Sequence, residues 1–227
     1  MNLTRSAWYV AIFVSFTTSF ACNRMPGRPT ASAWPLNPSQ VTDFKALYGQ
    51  NCAGCHGPQG RFGGALPLNN RTYLAVVDDE SLRTAIANGL PGTSMPAFAV
   101  ESGGTLTDEQ LTCLVNGIRA SWGRDHDKLD GEPRYTSERT GDSVEGAKLF
   151  VDYCASCHGA GGTGGSAGAI ADPSFLSLYN DRALRTLIIA GRPDLGHPGW
   201  NGYVGKAPLD SAEISNMVAW LARRRDR

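Results

Sequence analysis

The sequence predicts an all-α protein built from two similar helical domains. Three observations predict it. The chain repeats itself at an offset of 102 residues, each copy reads as the same three helices, and neither copy has a convincing strand pattern. In the repeat, Cys52, Cys55 and His56 fall on Cys154, Cys157 and His158. Further along, Leu82-Arg83 fall on Leu184-Arg185, and Gly89, Pro91, Pro96 and Phe98 on Gly191, Pro193, Pro198 and Trp200. Two copies at so long a period mean a duplicated domain rather than a solenoid.

Taken in order, the chain opens with a signal-like segment, residues 1–21. Arg5 gives it a weakly positive start, Ala7 to Phe20 is mostly apolar, and Ser19 and Ala21 are the small residues that signal cleavage requires. The apolar run is short of the ~20 residues that span a bilayer as a helix. Cys22 stands where a bacterial lipoprotein carries its lipid. Lipidation at Cys22, an ordinary cleaved signal with an incidental cysteine, and an uncleaved anchor all fit these residues. Residues 22–40 hold Pro26, Pro29, Pro35 and Pro38 and read as an extended, semi-rigid tether.

Domain 1 is expected over 41–122 and domain 2 over 143–227. A helix leads into each cysteine pair, Thr42 to Asn51 and Ser143 to Tyr153. A middle helix runs from Glu80 to Asn88 and from Arg182 to Ala190, each ending at a glycine that suits a C-cap, Gly89 and Gly191. A last helix runs from Asp108 to Ala120 and from Ser211 to Arg224, with Thr107 and Asp210 as N-caps. Residues 123–142 are polar, charged and without an apolar stripe. They read as a linker over the surface, with His126 solvated.

The cysteine pairs carry the chemistry. Both belong to a Cys-x-x-Cys-His run, Cys52 to His56 and Cys154 to His158. Covalent attachment of a haem needs two thiols, one for each vinyl group. Two intervening residues give that span when the segment curls as a helical turn, and the adjoining histidine then faces the iron. A structural zinc site wants four close ligands, and the two pairs are far apart in sequence. A disulfide framework suits an exported protein but explains neither histidine. A thioredoxin-like pair wants a βαβ context. Two covalently bound haem c groups are therefore expected, and each would supply buried surface that a domain of about 85 residues lacks.

On these residues the chain resembles the class I c-type cytochromes in their tandem dihaem form, the cytochrome c4 layout, over about residues 40–227. The resemblance implies a cytochrome c fold around each haem and a distal iron ligand in a loop before the last helix. Met95, in Gly-Thr-Ser-Met-Pro-Ala-Phe, fits that loop. Its counterpart is His197, in Leu-Gly-His-Pro-Gly-Trp, and both lie 39 residues after their attachment histidine. The expected ligand sets are His56 with Met95 and His158 with His197. Met217 aligns with Leu114 once a one-residue insertion is allowed, and a site shared by Leu and Met is a packing site. The family also implies a close crossing of first and last helices through a glycine opposite an aromatic. Gly146 and Trp220 fill those places in the second copy. Phe44 and Gly117 fill them in the first, with the bulky partner exchanged. Tyr48 and Phe150 are expected to pack beside the crossing.

Cys113 has Asn216 as its counterpart and reads as a spare thiol, pointing outward or lying at the domain interface. Gly159 to Gly168 reads as a loop covering the haem, since no Gly-Lys-Ser/Thr follows to bind phosphate. Arg223, Arg224 and Arg225 close the last helix and favour its dipole. A formal net charge of zero offers nothing to nucleic acid.

The expected function is one-electron transfer between extracytoplasmic redox partners, in the bacterial periplasm and tethered to the membrane. Two other readings stay open. The chain is an electron-transfer subunit of a larger respiratory or photosynthetic membrane complex, or it is a haem enzyme with a labile distal site at the second haem. No catalytic carboxylate accompanies Met95 or His197 in sequence.

Overall fold

A computed structural model describes residues 35–123, 131–137 and 139–225. The signal-like segment, Cys22, His126 and most of the tether lie outside the described residues. The chain divides after Gln40, and Val41–Arg227 is one compact unit. Of the tether, residues 35–40 end in a 3-10 turn at Pro38–Gln40.

The described residues are helical, with two isolated bridges and no strand. The first copy contributes α1 (Phe44–Asn51), α2 (Ala53–His56), α3 (Arg71–Val76), α4 (Asp79–Asn88) and α5 (Asp108–Trp122). The second contributes α6 (Ser143–Tyr153), α7 (Ala155–His158), α8 (Pro173–Leu176), α9 (Asp181–Ala190) and α10 (Ser211–Ala222). Among the described residues no helix is long and apolar enough to cross a membrane.

The ends follow local chemistry. Thr107 and Asp210 cap α5 and α10 in full capping boxes with Gln110 and Glu213. Gly89 and Gly191 end α4 and α9 at φ 67° and 64°, a left-handed turn that a side chain would strain. The first helix starts at Phe44 rather than Thr42, because the Asp43 carboxylate accepts the Ala46 N–H at 2.8 Å and so fixes the cap. The helix expected to stop at Ala120 continues to Trp122. That indole meets Phe44 and Tyr48 edge-on, with centroids 5.9 and 5.1 Å away. Packing has extended the helix by half a turn.

Each copy has its own core. The first gathers Leu47, Tyr48, Leu82, Leu111, Leu114 and Ile118; the second gathers Phe150, Leu176, Ile189, Ile214, Met217 and Trp220. Leu114 and Met217 are 0% and 1% exposed, each deep in its own core. In each copy the first and last helices cross closely. A Cβ added at Gly146 would sit 2.0 Å from the Asn216 carbonyl oxygen of α10, and one at Gly117 would sit 2.1 Å from the Phe44 ring. Phe150 stacks on Trp220 at 4.2 Å.

Three expectations differ in detail. Pro133 and Tyr135, in the stretch expected to run over the surface, are buried. Tyr135 packs edge-on to Tyr73 of α3 at 6.5 Å, and the Arg134 carbonyl accepts from Arg185 of α9 at 2.9 Å. Residues 133–135 are thus wedged between the copies, with Tyr135 in the first core and Arg134 bonded to the second domain. Cys113 is half-buried at the edge of the first core rather than fully outward. It packs on the first core and its Sγ lies 3.0 Å from the Thr42 carbonyl oxygen. The closing arginines divide their roles: Arg224 donates to the Trp220 carbonyl at the end of its own helix, while Arg223 and Arg225 reach other elements. Arg223 donates to Ser143, Arg224 lies 3.5 Å over the Trp220 ring, and Arg225 pairs with Asp181 at 2.6 Å.

Candidate haem sites

Each Cys-x-x-Cys-His run forms a tight helical turn. His56 N–H donates to the Cys52 carbonyl at 2.9 Å and His158 N–H to the Cys154 carbonyl at 3.0 Å. The first cysteine of each pair ends the preceding helix and is half-buried; the second, Cys55 or Cys157, is exposed. Burial pushes the Cys52 thiol up to about 11, helped by the neighbouring Cys55. Burial does the same at Cys154, also to about 11, against a hydrogen bond with Tyr203 that lowers it.

The imidazoles are oriented alike. His56 Nδ1 lies 2.7 Å from the Leu66 carbonyl oxygen, and His158 Nδ1 lies 2.8 Å from that of Gly168. Both carbonyls come ten residues after their histidine. A carbonyl only accepts, so each Nδ1 carries the proton and each Nε2 keeps a bare lone pair for a metal. The glycine-rich loop 159–168 is thus the strap that aims His158, and Ala167 N–H fastens it to the Cys157 carbonyl.

Met95 and His197 hang from matching turns. Leu90 N–H donates to the Met95 carbonyl and Arg192 N–H to the His197 carbonyl, both at 3.1 Å. Met95 is partly buried against the first core, which Cys52 and Leu66 also line. His197 faces His158 with ring centroids 5.9 Å apart and planes tilted by 47°. Its Nδ1 lies 2.8 Å from the Pro198 carbonyl oxygen, so Nε2 again is the free nitrogen. His56 and His197 are both held below the usual histidine range, chiefly by burial, with a smaller lowering from Arg192 at each.

These residues fit a haem. Four thiols stand in two attachment turns, and three imidazoles present unprotonated nitrogens. In the second copy the buried Trp200 indole N–H has no acceptor among the described residues, a donor that a carboxylate of a bound haem would satisfy. Sequence reasoning missed Arg192 and Asp194, which join the two sites. Their signal was the repeat's own asymmetry, since their counterparts are Leu90 and Gly92.

Comparison with known proteins agrees. The profile of cytochrome c oxidase cbb3-type subunit III matches residues 39–116, and that of cytochrome c matches residues 143–224. The cbb3-type cytochrome c oxidase subunit CcoP of Cereibacter sphaeroides is 29% identical over 74% of this chain and 57% of its own length. Subunit FixP of Bradyrhizobium diazoefficiens is 28% identical over 78% and 58%. Cytochrome c55X of Paracoccus denitrificans is 35% identical over 30% of this chain and 66% of its own. The chain spans a little over half the length of the two oxidase subunits. With two cytochrome c domains and an attachment turn in each, the chain belongs to the tandem dihaem class I c-type cytochromes, with one covalent haem c per domain.

Proposed function

We propose that this chain is the electron-transferring dihaem subunit of a membrane oxidoreductase of the cbb3 oxidase type, facing the periplasm. The observation that carries the reading is the match of two cbb3 oxidase subunits across about three quarters of the chain. The domains would span 41–122 and 143–227, with 123–142 between them. If the reading holds, the chain co-purifies from gently solubilised membranes with a haem–copper oxidase. Elution as a free small cytochrome would refute it in favour of a diffusing carrier.

Cys52, Cys55, Cys154 and Cys157 would hold the vinyl groups, with His56 and Met95 at the first iron and His158 and His197 at the second. The His158–His197 spacing supports the second set. Two imidazoles on opposite sides of one ion, each at about 2 Å, have centroids about 6 Å apart. A bound haem supplies a one-electron ferric–ferrous couple whose potential follows its axial ligands. The Met95 thioether favours ferrous iron, and the His197 imidazole favours ferric iron. The chain's own ligands thus set a direction, from the second domain to the first. His197→Met should raise the second potential and leave the first unchanged, as read by potentiometric titration. An unchanged second potential would remove His197 from the iron.

A further inference from the structure

We propose that Arg192 and Asp194 are a positioning pair that clips the two domains together and sets both haem potentials at once. The pair is bidentate, Nε to Oδ1 at 3.0 Å and Nη2 to Oδ2 at 2.9 Å, with side chains only 14% and 4% exposed. Both partners also reach into the first domain. Arg192 Nη2 donates to the Gly63 carbonyl at 2.8 Å, and the Asp194 carboxylate accepts the Phe62 N–H at 2.9 Å.

What they grip matters. The loop 62–64 precedes Ala65, whose N–H donates to the Cys55 carbonyl, and Leu66, whose carbonyl orients His56. Phe62 is the one non-glycine among the described residues with positive φ, at 65°, and it is 64% exposed. An aromatic side chain does not adopt that conformation unaided. The Asp194 carboxylate on its N–H and the Arg192 guanidinium on the next carbonyl supply the restraint. At the other end, Arg192 and His197 exchange two backbone hydrogen bonds, 3.1 and 3.0 Å. The pair therefore joins the strap behind the first iron's proximal histidine to the turn that carries the second iron's distal histidine.

The Arg192 charge is held beside both sites, by the hydrogen bond to Gly63 in the loop that leads to Leu66 and by the backbone pair with His197. A cation held between the two sites would favour the ferrous form of a haem bound at each, and the Asp194 carboxylate would offset part of that field. A unit charge ~10 Å from an iron changes the ferrous-to-ferric ratio by about twofold at a dielectric of ~80 and about sixteenfold at ~20.

The inference rests on the dihaem reading, and the test separates the two. Both midpoint potentials are titrated in the intact holoprotein for wild type, Arg192→Gln, Asp194→Asn and Arg192→Lys, with optical spectra reporting spin state. Arg192→Gln should lower both potentials and Asp194→Asn should raise both, each by at least about twofold in the ratio. Arg192→Lys, which keeps the charge but not the fork, should hold both potentials near wild type while the Phe62 amide exchanges faster. The proposal is overturned if both charge variants move the potentials the same way, as loss of structure alone would make them do. A response at one haem only, or at neither, overturns it too. A second haem that ignores His197→Met defeats the ligand reading instead, and leaves the Arg192→Gln result at the first haem to stand.

Discussion

Gly146→Ala should damage the second domain, although alanine favours a helix over glycine by about 1 kcal/mol. The new Cβ would lie 2.0 Å from the Asn216 carbonyl oxygen and 2.5 Å from its carbon, both backbone atoms of α10. Backbone cannot rotate away, so α6 and α10 must separate and disturb the stacking of Phe150 on Trp220. Overpacking of this kind costs about 3 kcal/mol or more, leaving a net loss of about 2–3 kcal/mol after the propensity gain. Over a domain of this size that lowers the melting midpoint by about 10–20 °C. Gly117→Ala is the control. The three atoms nearest its Cβ all belong to the Phe44 ring, a side chain that can shift where backbone cannot, so the loss should be smaller than at Gly146. The assay is thermal and denaturant unfolding of the holoprotein by far-UV circular dichroism, with haem absorbance following each domain. If Gly146→Ala stabilises the protein, or costs no more than Gly117→Ala, the crossing is not the close contact described.

Tyr48 donates to the Gly57 carbonyl at 2.8 Å, and its phenol is pushed up to about 12 chiefly by burial. The unfolded chain releases that proton near 10, so the unfolded state holds fewer protons between about 10 and 12. Stability from this group is full below about pH 10 and lost as pH rises towards 12. Tyr48→Phe should flatten that part of an alkaline unfolding curve, and an unchanged curve would count against the buried phenol. Tyr135→Ala should cost about 2–4 kcal/mol in denaturant unfolding, as a buried aromatic does; a cost below about 0.5 kcal/mol would return that stretch to a surface linker.

The repeat made most of the fold legible. A motif found twice in register fixed the attachment turns, and helical spacing with Thr107, Asp210, Gly89 and Gly191 placed the main helices close to their observed ends. Met95 and His197 stand out as the proposed ligands because both lie at the same reach from an attachment histidine, and both hang from matching turns. What escaped was tertiary. Trp122 belongs to α5 because Phe44 and Tyr48 lie beside it, and no local pattern announces that. Tyr135 finds Tyr73, and Asn70 donates to the Ala190 carbonyl at 3.0 Å across 120 residues. Arg192 and Asp194 gain meaning only from the loop at Gly63 that they grip.

Iron K-edge X-ray absorption of the ferrous holoprotein tests the proposed ligand assignment most directly, because Met95 and His197 would place different atoms on the two irons. One His/Met haem and one bis-His haem average to about five and a half nitrogens and about half a sulfur per iron. Half a sulfur, falling to none in Met95→His and rising to about one in His197→Met, is the result predicted here. No sulfur in the unmodified protein, or one at every iron, would contradict it.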